Sequence, residues 1–263
     1  MLGWSINLFR IFGIRLAVHA TFFLLLAYAG WEGWQDDDGR WAGLVWHVTL
    51  VIAFFFCVVL HELGHSLTAK RYGVNVPRIL LMPIGGMAEF DHLPRQPSAE
   101  FLITIAGPAV NFVIAALLLP FVWRYALGLD DVAEFSAAGT FTVLFEWNII
   151  MGIFNLLPIY PMDGGRILRS ILALWLPYLD ATWWAVTVMR FLAPLLAFVA
   201  FYYLESKMLG ILFVFIFFAG NAEYRVLLRR EHEAAYWAEA ARRIAAAAPP
   251  PATEPPLLDH GAN

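Results

Sequence analysis

His61-Glu62-Leu63-Gly64-His65 sets two imidazoles four residues apart, with a glutamate next to the first. On a helix, positions i and i+4 share a face, so both rings can reach one ion. Glu62, one residue on from His61, is placed to address a water on that ion rather than to ligate it. Zinc lowers the pKa of such a water to about 7, and a neighbouring carboxylate can then take its proton. The bare H-E-x-x-H pattern also arises in helices by chance, so its surroundings decide its weight. Residues 43–60 are nearly all apolar, which puts the pattern near one end of a membrane span. Ionisable groups at that depth are costly and mark functional sites by default. The competing reading is a hydrogen-bonded polar cluster that holds helices together.

A catalytic zinc takes three protein ligands and keeps one position open. The best source of the third is the stretch from Asn155 to Arg166, NLLPIYPMDGGR. Pro158 and Pro161 interrupt a span, Gly164-Gly165 loosen the backbone after Asp163, and Asp163 falls at about the depth of His61 and His65. The alternative is that Asp163 caps a helix over Arg166 to Trp175. Asn155 could hydrogen-bond a substrate carbonyl or its oxyanion, or it could satisfy the broken helix backbone. Asn111 reads either as an interhelical hydrogen bond or as part of the site. Cys57, one turn before His61, reads as a small buried residue; as a fourth ligand it would close the site. His19 and His47 read as packing or interfacial histidines, and His92, His232 and His260 as solvated.

The elements that must position these groups are membrane helices. The chain has 263 residues, 61% hydrophobic and only 14% charged, against about 25% charged in soluble domains. A span needs roughly 20 mostly apolar residues. Six candidates follow: about Leu16 to Trp31, Trp41 to Ala69, Phe101 to Tyr125, Ala137 to Leu157, Trp183 to Leu204, and Met208 to Ala219 with an extension to about Tyr224. Between the second and third, residues 74–97 hold Pro77, Pro83, Gly85, Gly86, Pro94 and Pro97, too broken for a helix. Extended backbone at this depth must pack on protein or line a wet cavity. The segment therefore reads as a re-entrant, strand-like loop whose edge could pair with an unwound substrate, or as a packed connector. The fold class is an all-α polytopic membrane protein with about six spans and this short β-like loop.

Arginine and lysine set the orientation. Arg10, Arg15, Lys70, Arg71, Arg78, Arg95, Arg166, Arg169, Arg225, Arg229, Arg230, Arg242 and Arg243 fall on one side, and only Arg40, Arg124 and Lys207 on the other. Both termini are expected in the cytoplasm of a cell-membrane protein, with the site toward that side. The acidic run Asp36 to Asp38 and the cluster Asp130, Asp131 and Glu134 then face outside. Residues 1–222 read as the membrane domain. Residues 223–263 read as a tail, helical to about Ala248 and disordered after Pro249-Pro250-Pro251. One cysteine permits no intrachain disulfide. The basic residues form no nucleic-acid-binding face, and no internal repeat or cleavable leader is evident.

HELGH together with NLLPIYPMDGGR resembles the site-2 protease family of intramembrane zinc metalloproteases. Gly107-Pro108-Ala109-Val110-Asn111 resembles that family's third-span motif, and Pro83-Ile84-Gly85-Gly86 its glycine-pair segment. The likeness covers roughly Val18 to Arg169. It is nearest the compact six-span branch, with neither a PDZ-like insertion nor a CBS-like region. The resemblance implies one zinc ion held by His61, His65 and Asp163, with Glu62 as general base. It further implies regulated intramembrane proteolysis of a membrane-tethered protein, such as a transcription-factor, sigma or anti-sigma regulator. The partners expected are that substrate and the lipid bilayer, with no nucleic acid; an oligomer is allowed. The rival from another class is a non-catalytic zinc-binding membrane protein, a transporter or a pseudoprotease that sequesters a partner.

Overall fold

The computed structural model describes residues 4–35, 40–91, 94–126 and 136–247. The two acidic clusters, His92, His260 and the proline run from Pro249 lie outside the described residues. The chain divides into two compact units, residues 1–220 and 221–263.

The first unit opens with two strands, β1 (Ser5–Ile11) and β2 (Ile14–His19). Phe12 and Gly13 form the turn between them, both with positive φ, as a two-residue hairpin loop that follows the strand twist requires. Helix α1 (Thr21–Gln35) comes next. It has fifteen residues, fewer than a perpendicular crossing needs. The expected span from Leu16 is thus shared between a strand and a helix: Ile14, Leu16 and Val18 alternate into the core, the period of a strand rather than a helix.

Helix α2 (Arg40–Arg71) carries the histidine pair. Strands β3 (Arg78–Met82) and β4 (Gly85–Glu89) are the expected re-entrant loop. They complete a four-stranded sheet of order β1-β2-β3-β4, antiparallel except for the parallel β2–β3 pair. Ala17 and Leu80, partners across that central pair, are both fully buried, which explains why the inner strands read as continuous apolar runs. One side of the sheet packs on Phe55, Val58, Val59 and Leu63 of α2.

The remaining helices are α3 (Pro97–Ala126), α4 (Ala137–Asn155), α5 (Asp163–Leu172), α6 (Tyr178–Tyr202) and α7 (Lys207–Ala247). Ser136 caps α4 by accepting from the Gly139 N–H at 2.9 Å. Among the described residues, α2, α3, α4, α6 and α7 are long and apolar enough to cross a membrane. The chain is a multi-pass membrane protein. Beyond Gly220, helix α7 continues through the second unit, where Arg243 pairs with Glu239 one turn earlier at 3.0 Å.

Candidate metal centre

His61 and His65 lie one turn apart on α2, facing α3, and both are buried. Asp163 opens α5 and meets them from the far side: its Oδ2 stands 3.4 Å from His61 Nε2 and 3.3 Å from His65 Nε2. One ligand atom from each residue falls within 4.8 Å of the others. Helix α5 begins on Asp163 itself, with Met162 at the cap position and no side-chain cap bond. At a helix N-terminus a carboxylate is favoured by the exposed N–H groups.

Hydrogen bonds behind the rings decide what faces the centre. His65 Nδ1 lies 2.8 Å from the Ile103 carbonyl, which can only accept, so Nδ1 carries the proton. His61 Nδ1 lies 2.6 Å from Asn111 Oδ1. In the neutral rings this leaves each Nε2 as a lone pair facing inward, and these two atoms are only 3.1 Å apart. The buried Asp163 Oδ2 beside them has no hydrogen-bond partner. Two lone pairs and a carboxylate oxygen converging without a proton to share are a mismatch that a cation removes. Two nitrogens and one oxygen with room for a fourth position are the donor set of a catalytic zinc.

Two close approaches fix this geometry. A Cβ on Gly107 would sit 2.1 Å from His65 Nε2 and 2.8 Å from His61 Nε2, so the rings occupy the space a side chain would need. A Cβ on Gly164 would sit 2.1 Å from the Leu157 carbonyl oxygen, and one on Gly165 2.3 Å from the Tyr160 nitrogen. The expectation that Gly164-Gly165 loosen the backbone is therefore corrected. Both residues are helical, and the missing side chains let the first turn of α5 dock on the irregular segment at residues 156–162.

Glu62 lies on the wall of the same cavity, about 230 Å³, together with Gly86, Ala88, Asn155, Asp163 and Arg166. Its Oε2 accepts from the Ala88 N–H of β4 at 3.0 Å. The outer edge of β4 thus looks into the cavity. Asn155, the last residue of α4, lines the cavity and donates from Nδ2 to the Met151 carbonyl at 3.0 Å.

The other candidates fall elsewhere. Cys57 is a buried free thiol outside the three-residue group. His19 Nδ1 bonds Thr21 at the start of α1. His47 Nδ1 bonds the Gly43 carbonyl on its own helix, and His232 is exposed. The sequence reading missed Asn148, whose Oδ1 accepts from Asn111 Nδ2 at 2.9 Å. It also missed the buried pair in which Arg169 of α5 donates from Nε to Glu100 of α3 at 2.8 Å. A polar residue repeated inside an apolar span was the available signal for Asn148. Nothing in the sequence paired Glu100 with Arg169.

This fold and cavity define a multi-pass membrane protein in which His61, His65 and Asp163 form a group that could hold a metal ion. The sequence pattern of peptidase family M50 matches residues 49–128 and 122–197, and the chain belongs to that family. A zinc metalloprotease of Methanocaldococcus jannaschii is 38% identical over 227 residues, 86% of this chain and 62% of that protein. Stage IV sporulation protein FB of Bacillus subtilis is 30% identical over 140 residues, 52% of this chain and 45% of that protein. The chain thus spans about three fifths or less of these curated relatives. The solved site-2 protease from M. jannaschii superposes with a TM-score of 0.60 at 36% identity, covering 84% of this chain and 95% of that one.

Proposed function

We propose that the protein is a zinc-dependent intramembrane endopeptidase that cuts a membrane-tethered protein in or beside a transmembrane segment. The convergence of His61 Nε2, His65 Nε2 and the Asp163 carboxylate beside Glu62 carries this reading. When bound, zinc supplies a Lewis acid that acidifies water and polarises a carbonyl. Glu62 takes the proton of the attacking water and delivers it to the leaving amide nitrogen. Its side chain reaches the cavity from the same helix as the two histidines. Asn155 has one amide hydrogen committed to Met151 and a second available to a substrate carbonyl.

A helical substrate hides its peptide bonds and must unwind first. The outer edge of β4 lines the cavity, with the Ala88 N–H held by Glu62, and an edge in this place suits pairing with the extended segment. Main-chain pairing places the substrate backbone without demanding a particular side chain, which suits a protease for tethered regulators such as sigma or anti-sigma factors. The basic residues favour both termini in the cytoplasm and a site opening to that side. Residues 1–222 then act as the protease domain and 223–263 as a cytoplasmic tail.

The test is a Glu62→Gln variant of the full chain, purified in detergent and co-expressed with a tethered reporter. It should retain zinc at one per chain and lose cleavage by at least about 100-fold, the usual weight of a general base. Cleavage at the wild-type rate by this variant would remove Glu62 as general base and end this mechanism.

A further inference from the structure

Two buried amides, Asn111 and Asn148, stand in line behind the His61 ring. Asn148 sits in the middle of α4, fully buried, and its Nδ2 donates to the Leu144 carbonyl at 2.8 Å. A backbone carbonyl can only accept, so this end of the amide must be the NH2 group. The oxygen of Asn148 therefore faces Asn111, also fully buried, and accepts from its Nδ2 at 2.9 Å. Asn111 is left with its own oxygen toward His61, 2.6 Å from Nδ1. His61 must then be protonated on Nδ1. Each link leaves one orientation for the next, and the Leu144 carbonyl sets the direction of the whole chain.

We propose that Asn148 is a positioning residue for the metal site, locking the His61 tautomer through Asn111. It touches no ligand atom. Without it the Asn111 amide has no outer anchor and can turn its NH2 toward His61. The ring then carries its proton on Nε2, the atom that must ligate. His65 needs no such relay, because the Ile103 carbonyl receives its Nδ1–H directly. The two ligands thus respond differently to one substitution on α4. This inference rests on the metal-site reading above.

The test uses full-length wild type, Asn148→Leu and the double variant Asn111→Asp/Asn148→Leu, each metal-free and in detergent. Zinc affinity is read by competition with a chromophoric chelator, and ring tautomers by nitrogen-15 spectra of labelled histidine at alkaline pH, with the rings neutral. Asn148→Leu should weaken zinc binding about 10–100-fold, as loss of outer-shell support does. It should give His61 an Nε2–H population and leave His65 on Nδ1–H. The double variant should restore both readings, because a carboxylate at position 111 only accepts, whichever way it turns. Wild-type affinity with a single Nδ1–H tautomer in Asn148→Leu overturns the proposal. Equal changes in both rings, or failure of the double variant to recover, also overturn it by pointing to general loosening. If Asn148→Leu does not fold, Asn148→Asp decides, since it still accepts from Asn111. It should keep the wild-type tautomer, and an Nε2–H ring there sinks the idea. Absence of zinc binding by the wild type would instead remove the metal-site reading itself.

Discussion

The two sides of the candidate metal centre are built by opposite means. The histidine side is a single uninterrupted helix: α2 supplies both rings, and carbonyls and amides of the neighbouring helices fix their protons. The aspartate side has no such regularity. Asp163 follows a stretch with two prolines and a cis Tyr160–Pro161 peptide, and it stands on a ten-residue helix. That helix is seated from behind by Arg169, which donates to Glu100 and to the Tyr160 hydroxyl at 3.2 Å. The guanidinium also lies over the Tyr160 and Tyr178 rings, 5.2 and 5.0 Å from their centroids. A ligand on a regular helix inherits its place from local geometry. A ligand on an irregular segment needs a distant anchor, and here the anchor is a buried ion pair.

Breaking that anchor should produce the largest effect. Both partners are at most 2% exposed, so removing either charge strands the other in a dry site. Glu100→Gln or Arg169→Met should cost about 3–5 kcal/mol of stability, read by denaturant unfolding in detergent. Zinc stoichiometry should fall as well, because α5 and Asp163 lose their seat. A Glu100→Gln protein that unfolds like wild type with full zinc would remove the contrast between the two sides.

The glycines sharpen the contrast at a smaller scale. Gly107→Ala presses on the imidazoles, whereas Gly164→Ala presses on the backbone beneath α5. Each should cost about 1–3 kcal/mol from overpacking. Side chains yield more readily than backbone, so Gly164→Ala should sit at the upper end. Gly107→Ala should lose zinc with the smaller change in unfolding. Paired zinc assays and unfolding curves on the two variants check the order.

The same asymmetry governs what could be read from sequence. HELGH was legible because five adjacent residues on one helix suffice to bring the ligands together. Asp163 lies 98 positions beyond His65, where depth and family likeness match it to the histidines but no contact is legible; α5 begins on Asp163, with Met162 rather than Asp163 at the cap. The spans from α2 onward followed from apolar run length. The N-terminal hairpin did not, because Phe12-Gly13 is a weaker turn signal than Asn-Gly and the apolar run through Leu16 to Val18 suits a helix or a buried strand equally. The Glu100–Arg169 pair and the Asn111–Asn148 relay join residues on different helices, 69 and 37 positions apart, and charge or amide content alone says nothing of such pairings.

A second arginine–glutamate pair tests whether burial or mere pairing gives the anchor its weight. Arg78 and Glu89 face each other across β3 and β4, and their side chains are 24% and 34% exposed. The hydrogen bond from Arg78 holds the Glu89 carboxyl below its ordinary range. Water screens this pair, so Glu89→Gln should cost only about 0–1 kcal/mol. The sign with pH is fixed: a carboxyl lowered in the folded state adds stability above its unfolded pKa of about 4.3 and loses it as pH falls below that value. Wild type and Glu89→Gln should therefore differ slightly at neutral pH and converge in acid. Unfolding midpoints across that range provide the measurement. A cost at neutral pH as large as that of Glu100→Gln would mean that pairing, wherever it occurs, stabilises this protein, and the buried anchor would lose its special standing.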